Sequence, residues 1–325
     1  MTATVTPSSL LGPAAEAIRR RVADRIVGLT EVTDLLLVSL FSGGHSLLVG
    51  VPGLAKTTLV RAVADALDLS FKRIQFTPDL LPSDITGAEG LVDDPETGER
   101  SLVFVKGPVF AHLLLADEIN RTPPKTQAAL LEAMEERSVT VGGVVHRLEA
   151  PFCVLATQNP IEQVGTYPLP TAQLDRFLFL VNIDYPARDD EARIVKMTVS
   201  PPRPDTSMPL VRRDDVLAAR EAIHDQSAPT GVVAEAVRLA RLTRPDGDVP
   251  DVVKRYVEYG ASPRAAQQLV RAAKARAALR GVPAAEIADV RALAPHVFRH
   301  RLVMRPAAAV DGITARDAVD AILKR

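Results

Sequence analysis

Residues 50–58, GVPGLAKTT, have the composition needed to hold a chain of phosphate groups. An apolar run at 46–49 predicts a buried strand before them, and apolar residues every four positions predict a helix after them. Glycines let the backbone approach a ligand, successive N–H groups can point at phosphate oxygens, and a helix N-terminus adds positive potential. Lys56 would reach the β- and γ-phosphates, and the Thr57 hydroxyl would bind Mg²⁺. The predicted nucleotide contacts are Gly50, Val51, Pro52, Gly53, Leu54, Ala55, Lys56, Thr57 and Thr58.

One position departs from the common pattern G-x-x-x-x-G-K-[ST], because Ala55 stands where that pattern has glycine. A left-handed conformation costs an alanine roughly 1 kcal/mol. Two alternatives follow: the loop needs no left-handed residue there, or the match is accidental and the stretch is an ordinary strand, turn and helix.

An acidic pair follows about 60 residues later, where Asp117 and Glu118 end the apolar run 112–116. In an open α/β sheet, ligands bind at the carboxyl ends of the strands. Adjacent side chains on an extended segment point in different directions, so Asp117 would hold Mg²⁺ while Glu118 orients and deprotonates the attacking water. Alone, such a pair is usually a solvated strand end. After a phosphate loop, it predicts a hydrolytic site.

Two more polar residues stand next to predicted strands. Asn159 follows the apolar run 154–156 and could contact the γ-phosphate or the water, although an Asx-type turn before Pro160 is the alternative. Arg176 comes just before the predicted strand 177–184. Taken alone, an arginine there is more often a surface charge.

Composition limits the class of protein. The chain has 325 residues, 47% hydrophobic and 24% charged, with a net charge of −1, which is typical of a globular protein with a large core and gives no electrostatic footprint for nucleic acid. Cys153, the one cysteine, lies in an apolar run and is expected in the core. The N-terminus lacks the pattern of a secretory signal, and no apolar run reaches the length of a membrane span. We therefore expect a cytoplasmic protein without membrane insertion.

The pattern along the chain predicts three parts. Residues 1–12 are small and polar and predict a flexible N-terminal tail, with a helix beginning at Pro13. Residues 13–185 alternate apolar strands with helices and predict an α/β domain with a parallel sheet, which also carries a hairpin turning at Gly142 and Gly143. Residues 186–325 have helical spacing and predict an all-helical second domain.

The motifs, in this order and spacing, resemble those of the AAA+ ATPases. Four longer strings are similar to the MoxR family of that superfamily: QFTPDLLPSDITG (75–87), GPVFAHLLLADEINR (107–121), TYPLPTAQLDRF (166–177) and YGASPRAAQQL (259–269). The resemblance covers nearly the whole chain. It implies an AAA+ P-loop NTPase core with a parallel sheet, followed by a small helical lid domain.

The resemblance also implies roles for single residues. Lys56 and Thr57 match the Walker A residues, and the family commonly has alanine at the position of Ala55. Asp117 and Glu118 match the Walker B pair.

Outside these two motifs, Asn159 matches sensor 1, and Arg264 matches the sensor 2 arginine, which would contact ATP from the lid. Arg176 matches the arginine finger, which acts on the nucleotide of a neighbouring subunit. Ile26, Val27 and Gly28 fall where such proteins contact adenine.

By the same resemblance, we expect Mg²⁺-dependent hydrolysis of ATP in a homo-oligomer, a hexameric ring. The hydrolysis would drive chaperone-like remodelling, maturation or activation of partner proteins, including partners with a von Willebrand factor A-type domain. Thr171 departs from the family pattern, which has glutamate there. Arg121, close to the Walker B pair, could share the role given to Arg176.

Two other functions stay open at this point. A nucleic-acid motor or a metal-chelatase motor subunit would share these motifs, and its support is one run of basic residues: Arg264, Arg271, Lys274, Arg276 and Arg280. Such a run is usually a solvated helix face. A scaffold that binds ATP and barely hydrolyses it is the third possibility, against which the full set of catalytic side chains speaks.

Overall fold

The computed structural model of the chain describes residues 7–51, 53–93, 100–160, 165–198 and 208–325, so Pro52 of the phosphate loop lies outside the described residues. The strands are β1 (Ser46–Gly50), β2 (Phe71–Gln75), β3 (Gly87–Asp93), β4 (Arg100–Lys106), β5 (Leu113–Asp117), β6 (Ser138–Val141), β7 (Val144–Arg147), β8 (Cys153–Gln158), β9 (Phe179–Ile183), β10 (Val257–Tyr259) and β11 (Val303–Met304). The helices are α1 (Pro7–Ala23), α2 (Thr30–Ser42), α3 (Lys56–Ala66), α4 (Pro82–Thr86), α5 (Pro124–Glu136), α6 (Thr171–Leu174), α7 (Arg188–Thr198), α8 (Arg213–Asp225), α9 (Thr230–Leu242), α10 (Asp251–Tyr256), α11 (Pro263–Leu279), α12 (Ile287–Phe298), α13 (Pro306–Val310) and α14 (Ala315–Leu323).

A five-stranded parallel sheet forms the centre of the fold, in the order β2-β5-β8-β1-β9. Successive residues of its strands enter different hydrophobic clusters: Leu114 packs in one and Leu115 in the other. Because side chains alternate across a strand, this split means that both faces of the sheet are covered. Cys153 is buried, and burial raises the pKa of its thiol to about 12. The predicted parallel sheet and core cysteine are confirmed.

Two antiparallel hairpins project from the sheet domain. β3 pairs with β4, and β6 pairs with β7. Gly142 and Gly143 turn the second hairpin with φ values of +56° and +79°, which is the conformation that a two-residue turn with glycines favours. This hairpin is confirmed.

Two predictions about the ends of the chain are wrong. Helix α1 begins at Pro7, so Pro13 lies inside the helix and residues 7–12 are not a loose tail, while residues 1–6 of the predicted tail lie outside the described residues. Their packing explains the extension: Leu11 is buried, and a Cβ added to Gly12 would lie 2.9 Å from the Cα of Gly281. The second half of the chain is not all helical either, since β10 and β11 form a small antiparallel pair.

The second half packs against the first through α11. This helix contacts α12 and α9 in its own half and also α1 and α2. Its alanines are small enough for close helix packing, and ten of its residues are buried. Within the described ranges, no helix is long and apolar enough to cross a bilayer.

His45, which directly precedes β1, contacts both β8 and α5. Its Nδ1 accepts a hydrogen bond from Val154 N at 2.9 Å, and its Nε2 lies 3.2 Å from Met134 O. Burial lowers the pKa of this imidazole from 6.5 to about 4. The unfolded chain therefore binds the proton at higher pH than the folded chain, and stability falls as pH falls from 6.5 to 4.

We predict that His45→Gln flattens the pH dependence of stability. The free energy of unfolding, measured by urea titration at pH 6.5, 5.5 and 4.5, should lose up to about 1.4 kcal/mol less per pH unit in the variant. His224→Gln is the control, since His224 lies on the surface with an 81% exposed side chain. Equal slopes in wild type and His45→Gln would contradict the burial argument.

Candidate active site

The phosphate loop begins at Gly50, the last residue of β1, which lies opposite Ile183 of β9. A Cβ added to Gly50 would lie 2.6 Å from Ile183 O, so a larger residue would push the two strands apart. Gly53 has φ +87°, and Ala55, the residue before α3, has φ +54° and ψ +20°. Ala55 is therefore left-handed, and the alternative that the loop has no left-handed residue there is wrong. The conformation stores roughly 1 kcal/mol of strain.

Lys56 is held inside this loop. Its Nζ donates a hydrogen bond to Gly50 O at 2.7 Å. Burial lowers the pKa of the ammonium group, and the nearby Asp117 and Glu118 carboxylates oppose that shift. The lysine thus stands between the loop backbone and the acidic pair, where a phosphate could replace its bond to Gly50.

The sheet order brings the predicted motifs together. β5, β8 and β1 are neighbours, and their carboxyl ends lead to the acidic pair, to Asn159 and to the phosphate loop. They enclose a pocket of about 360 Å³, a size suited to a small-molecule ligand. Its lining consists of Gly53, Leu54, Ala55, Lys56, Thr57, Thr58, Arg73, Gln75, Asp117, Glu118 and Asn159.

Thr157 organises the acidic pair. Its hydroxyl donates to Asp117 Oδ1 at 2.6 Å and accepts from Glu118 N at 2.8 Å. Glu118 has φ +57° and ψ +49°, so the chain turns sharply between the two carboxylates. They diverge because of this left-handed turn, and not because the segment stays extended.

Two residues of this site, Arg73 and Gln75 on β2, are not predicted from the sequence. Arg73 Nη2 lies 2.6 Å from Asp117 Oδ2, and Gln75 Nε2 donates to Glu118 Oε2 at 2.8 Å. Alternation along β2 puts both side chains on one face, which the sequence does show. It does not show that β2 pairs with β5, with Gln75 opposite Asp117.

The donor set fits a magnesium nucleotide. Mg²⁺ prefers oxygen ligands and is usually bound by one or two carboxylates together with phosphates and water. The Thr57 hydroxyl and the Asp117 carboxylate are such ligands, whereas the described part of the chain has no cluster of three or more metal-binding side chains. Asp117 would exchange its bond to Arg73 for the metal.

The other two predicted catalytic residues lie elsewhere. Arg176 and Arg264 line a second pocket, of about 390 Å³, together with residues 42–45, which precede β1. Since Arg176 precedes β9, this pocket is at the amino edge of the sheet, opposite the phosphate loop. Arg264 therefore does not line the phosphate pocket of its own chain. The structure does not support the expected contact between Arg264 and a nucleotide bound in the same chain.

A buried arginine just after α12 holds the segment that carries Arg176. Arg301 Nε donates to Asp175 Oδ1 at 2.6 Å, and Nη2 donates to Phe177 O at 2.6 Å. His300 adds a contact between Nε2 and Phe177 O at 3.0 Å. The side chain of Arg301 is only 2% exposed. Burial lowers the pKa of this guanidinium group, and the Asp175 carboxylate opposes that shift.

The residues expected to contact adenine form a separate turn. Ile26 and Val27 are buried, and Gly28 has φ +81° next to Asp190 of α7. None of the three lines the phosphate pocket. Their contact with adenine stays a prediction.

The geometry can be compared with known proteins. Residues 45–179 match the family model described as "ATPase family associated with various cellular activities (AAA)", and residues 251–322 match the AAA lid domain. The chain is 42% identical to Chaperone MoxR1 of Mycobacterium tuberculosis, over 92% of this chain and 78% of that protein. It is 32% identical to Protein MoxR of Methylorubrum extorquens, over 90% and 88%. The chain belongs to the MoxR family of AAA+ ATPases.

A similar solved structure supports the architecture. A presumed ATPase from Cytophaga hutchinsonii superimposes with a TM-score of 0.89 and 37% identity, covering 98% of this chain and 96% of that one. As a member of the MoxR family, the chain is an ATPase with an α/β core and a lid. The phosphate pocket has lining residues in the matched AAA region. The pocket that holds Arg176 and Arg264, called the arginine pocket below, has lining residues in both the matched AAA region and the matched lid region.

We predict that Thr157→Val lowers the ATPase kcat about tenfold, because Asp117 and the Glu118 amide each lose a hydrogen bond. The measurement is steady-state turnover, with binding of a fluorescent nucleotide recorded in parallel. Thr126→Val is the matched control: its buried hydroxyl donates to Leu80 O, so it should cost similar stability and leave kcat unchanged. Equal kcat values for both variants would contradict the role of Thr157.

Proposed function

We propose that the chain hydrolyses ATP with Mg²⁺ in the pocket that the phosphate loop lines and uses the energy to remodel partner proteins. The observation that carries this proposal is the meeting of Lys56, Asp117, Glu118 and Asn159 at the carboxyl ends of three neighbouring strands. These are the groups that in-line attack of water on a γ-phosphate requires.

Catalysis would consist mainly of positioning and charge stabilisation. Lys56 would give up its hydrogen bond to Gly50 O and bind the β- and γ-phosphates instead. Glu118 would accept a proton from the attacking water, and Asn159 would hold that water. Mg²⁺ bound by Thr57 and Asp117 would neutralise charge on the phosphates.

Arg176 and Arg264 would act on the nucleotide of a neighbouring copy. Both lie at the sheet edge away from their own phosphate loop, which supports hydrolysis that depends on assembly, in a hexameric ring by family resemblance. Arg121 lies 3.0 Å from Glu118 of its own chain. This contact favours Arg176 over Arg121 as the residue that acts on the neighbour.

A protein is the favoured partner. One relative is named a chaperone, and the two hairpins expose apolar side chains suited to contact with a polypeptide, among them Leu91, Leu102 and Val145. A partner with a von Willebrand factor A-type domain and a cytoplasmic location remain parts of this proposal that rest on the family resemblance and the sequence.

The basic residues of α11 argue against a nucleic-acid motor. Arg276 and Arg280 bind the buried Asp289, and Lys274 donates to His224 O at 2.7 Å. These three side chains therefore already have partners within the chain. Strong stimulation of the ATPase by DNA or RNA, with binding that weakens steeply with salt, would nevertheless favour that function.

We predict that Lys56→Ala abolishes ATP binding or hydrolysis, because the phosphates lose their main cationic contact. Release of phosphate and binding of a fluorescent nucleotide are the measurements. Lys72→Ala is a suitable control, since Lys72 is exposed on β2 and does not line the pocket. Wild-type turnover in Lys56→Ala would refute the assignment of the phosphate loop.

We predict that Glu118→Gln keeps nucleotide affinity and lowers turnover by about 10² to 10⁴, because the amide cannot accept the proton of the attacking water. Single-turnover kinetics with bound ATP measure the chemical step. A loss below tenfold would remove Glu118 from the role of base. The same variant, held in the ATP state, is suited to capturing partner proteins.

A further inference from the structure

Glu135, near the C-terminus of α5, links two arginines that are distant in sequence. Its Oε2 accepts a hydrogen bond from Arg176 Nε at 2.7 Å, and its Oε1 lies 3.4 Å from Arg264 Nη2. The bond from Arg176 lowers the pKa of the Glu135 carboxyl. One carboxylate therefore bridges the sheet domain residue and the lid residue.

The bond to Arg176 uses only one edge of the guanidinium group. Among the described residues, neither of its Nη nitrogens has a hydrogen-bond partner. The planar group has a fixed fork of donors, so a partner on Nε sets the direction in which the Nη pair points. Glu135 thus orients Arg176 while leaving its terminal donors open to a ligand.

The surroundings of these donors are strongly cationic. Arg137 and Arg271 line the same pocket of about 390 Å³ as Arg176 and Arg264, and Glu135 is the one acidic residue among the described residues of its lining. Four guanidinium groups against one carboxylate favour an anion with several charges.

We propose that Glu135 is a positioning residue that holds Arg176 and Arg264 as one cationic pair for a phosphate group carried by a second copy of this chain. The proposal rests on the proposed function, in which Arg176 acts on a neighbouring nucleotide. Glu135 keeps its bond to Nε while the terminal nitrogens bind the phosphate, so the carboxylate orients the arginine and does not compete for it.

The backbone around Arg176 is fixed independently. Arg301 binds Asp175 and Phe177, the residues on either side of it. The remaining freedom belongs to the arginine side chain itself, which Glu135 restrains. Loss of Glu135 would therefore leave the fold and the phosphate pocket intact and release only the guanidinium groups of Arg176 and Arg264.

The test compares variants of the full chain in its assembled state. Glu135→Ala should lower kcat about tenfold and leave the KM for ATP unchanged, because the phosphate pocket is at the other edge of the sheet. Glu135→Gln should lose less, since an amide oxygen still accepts from Nε. Glu136→Ala is the matched control: this neighbour is also exposed and forms no ion pair within the described part of the chain.

A mutant cycle separates this proposal from the proposed function. If Glu135 acts through the two arginines, then Glu135→Ala should cause no further slowing in a chain that already carries Arg176→Ala and Arg264→Ala. A slow Arg176→Ala with a normal Glu135→Ala overturns the role of Glu135 alone. A normal Arg176→Ala overturns the action on the neighbour and, with it, this proposal.

A dilution series tests the requirement for a second copy. At protein concentrations where sedimentation finds monomers, wild type and Glu135→Ala should have the same low turnover, and the tenfold difference should emerge with assembly. The same ratio in monomers would mean that Glu135 acts within its own subunit, which overturns the proposal.

Discussion

The parallel pairing of β5, β8 and β1 is the constraint on which the site depends. Main-chain hydrogen bonds between these strands set the distance between the phosphate loop, the acidic pair and Asn159. Side-chain hydrogen bonds then orient the acidic pair. The hydroxyl of Thr157, on the central strand of the three, holds the Asp117 carboxylate and the amide of Glu118. Small changes in strand register would separate groups that lie more than 100 positions apart in sequence.

The same sheet carries cationic groups on its opposite edge. The phosphate pocket opens at the carboxyl ends of the strands, and the arginine pocket is formed by segments that precede β1 and β9. A single subunit thus has the phosphate pocket at one edge of the sheet and the arginines at the other. In the assembly proposed above, subunits would meet edge to edge and each would complete the site of the next.

Local patterns were enough to predict the phosphate loop, the acidic pair and the parallel sheet, since each depends on residues close together in sequence. Arg73, Glu135 and Arg301 could not be predicted, because their roles come from strand order and from the packing of the lid on the sheet. The position of Arg264 shows the same limit: its motif was recognised, but the edge of the sheet that it reaches depends on how α11 packs. The left-handed Ala55 departs from what the residue type favours, and such departures are expected at functional sites.

Arg301 also limits how the lid can move. Its buried guanidinium group binds the carboxylate and carbonyl of Asp175 and the carbonyls of Phe177 and Leu178. Moving the lid away from the segment around Arg176 would break these hydrogen bonds together and leave the guanidinium group of Arg301 without them. Arg301 therefore ties the segment that carries Arg176 to the chain that follows α12, and this tie opposes a hinge between them within one subunit.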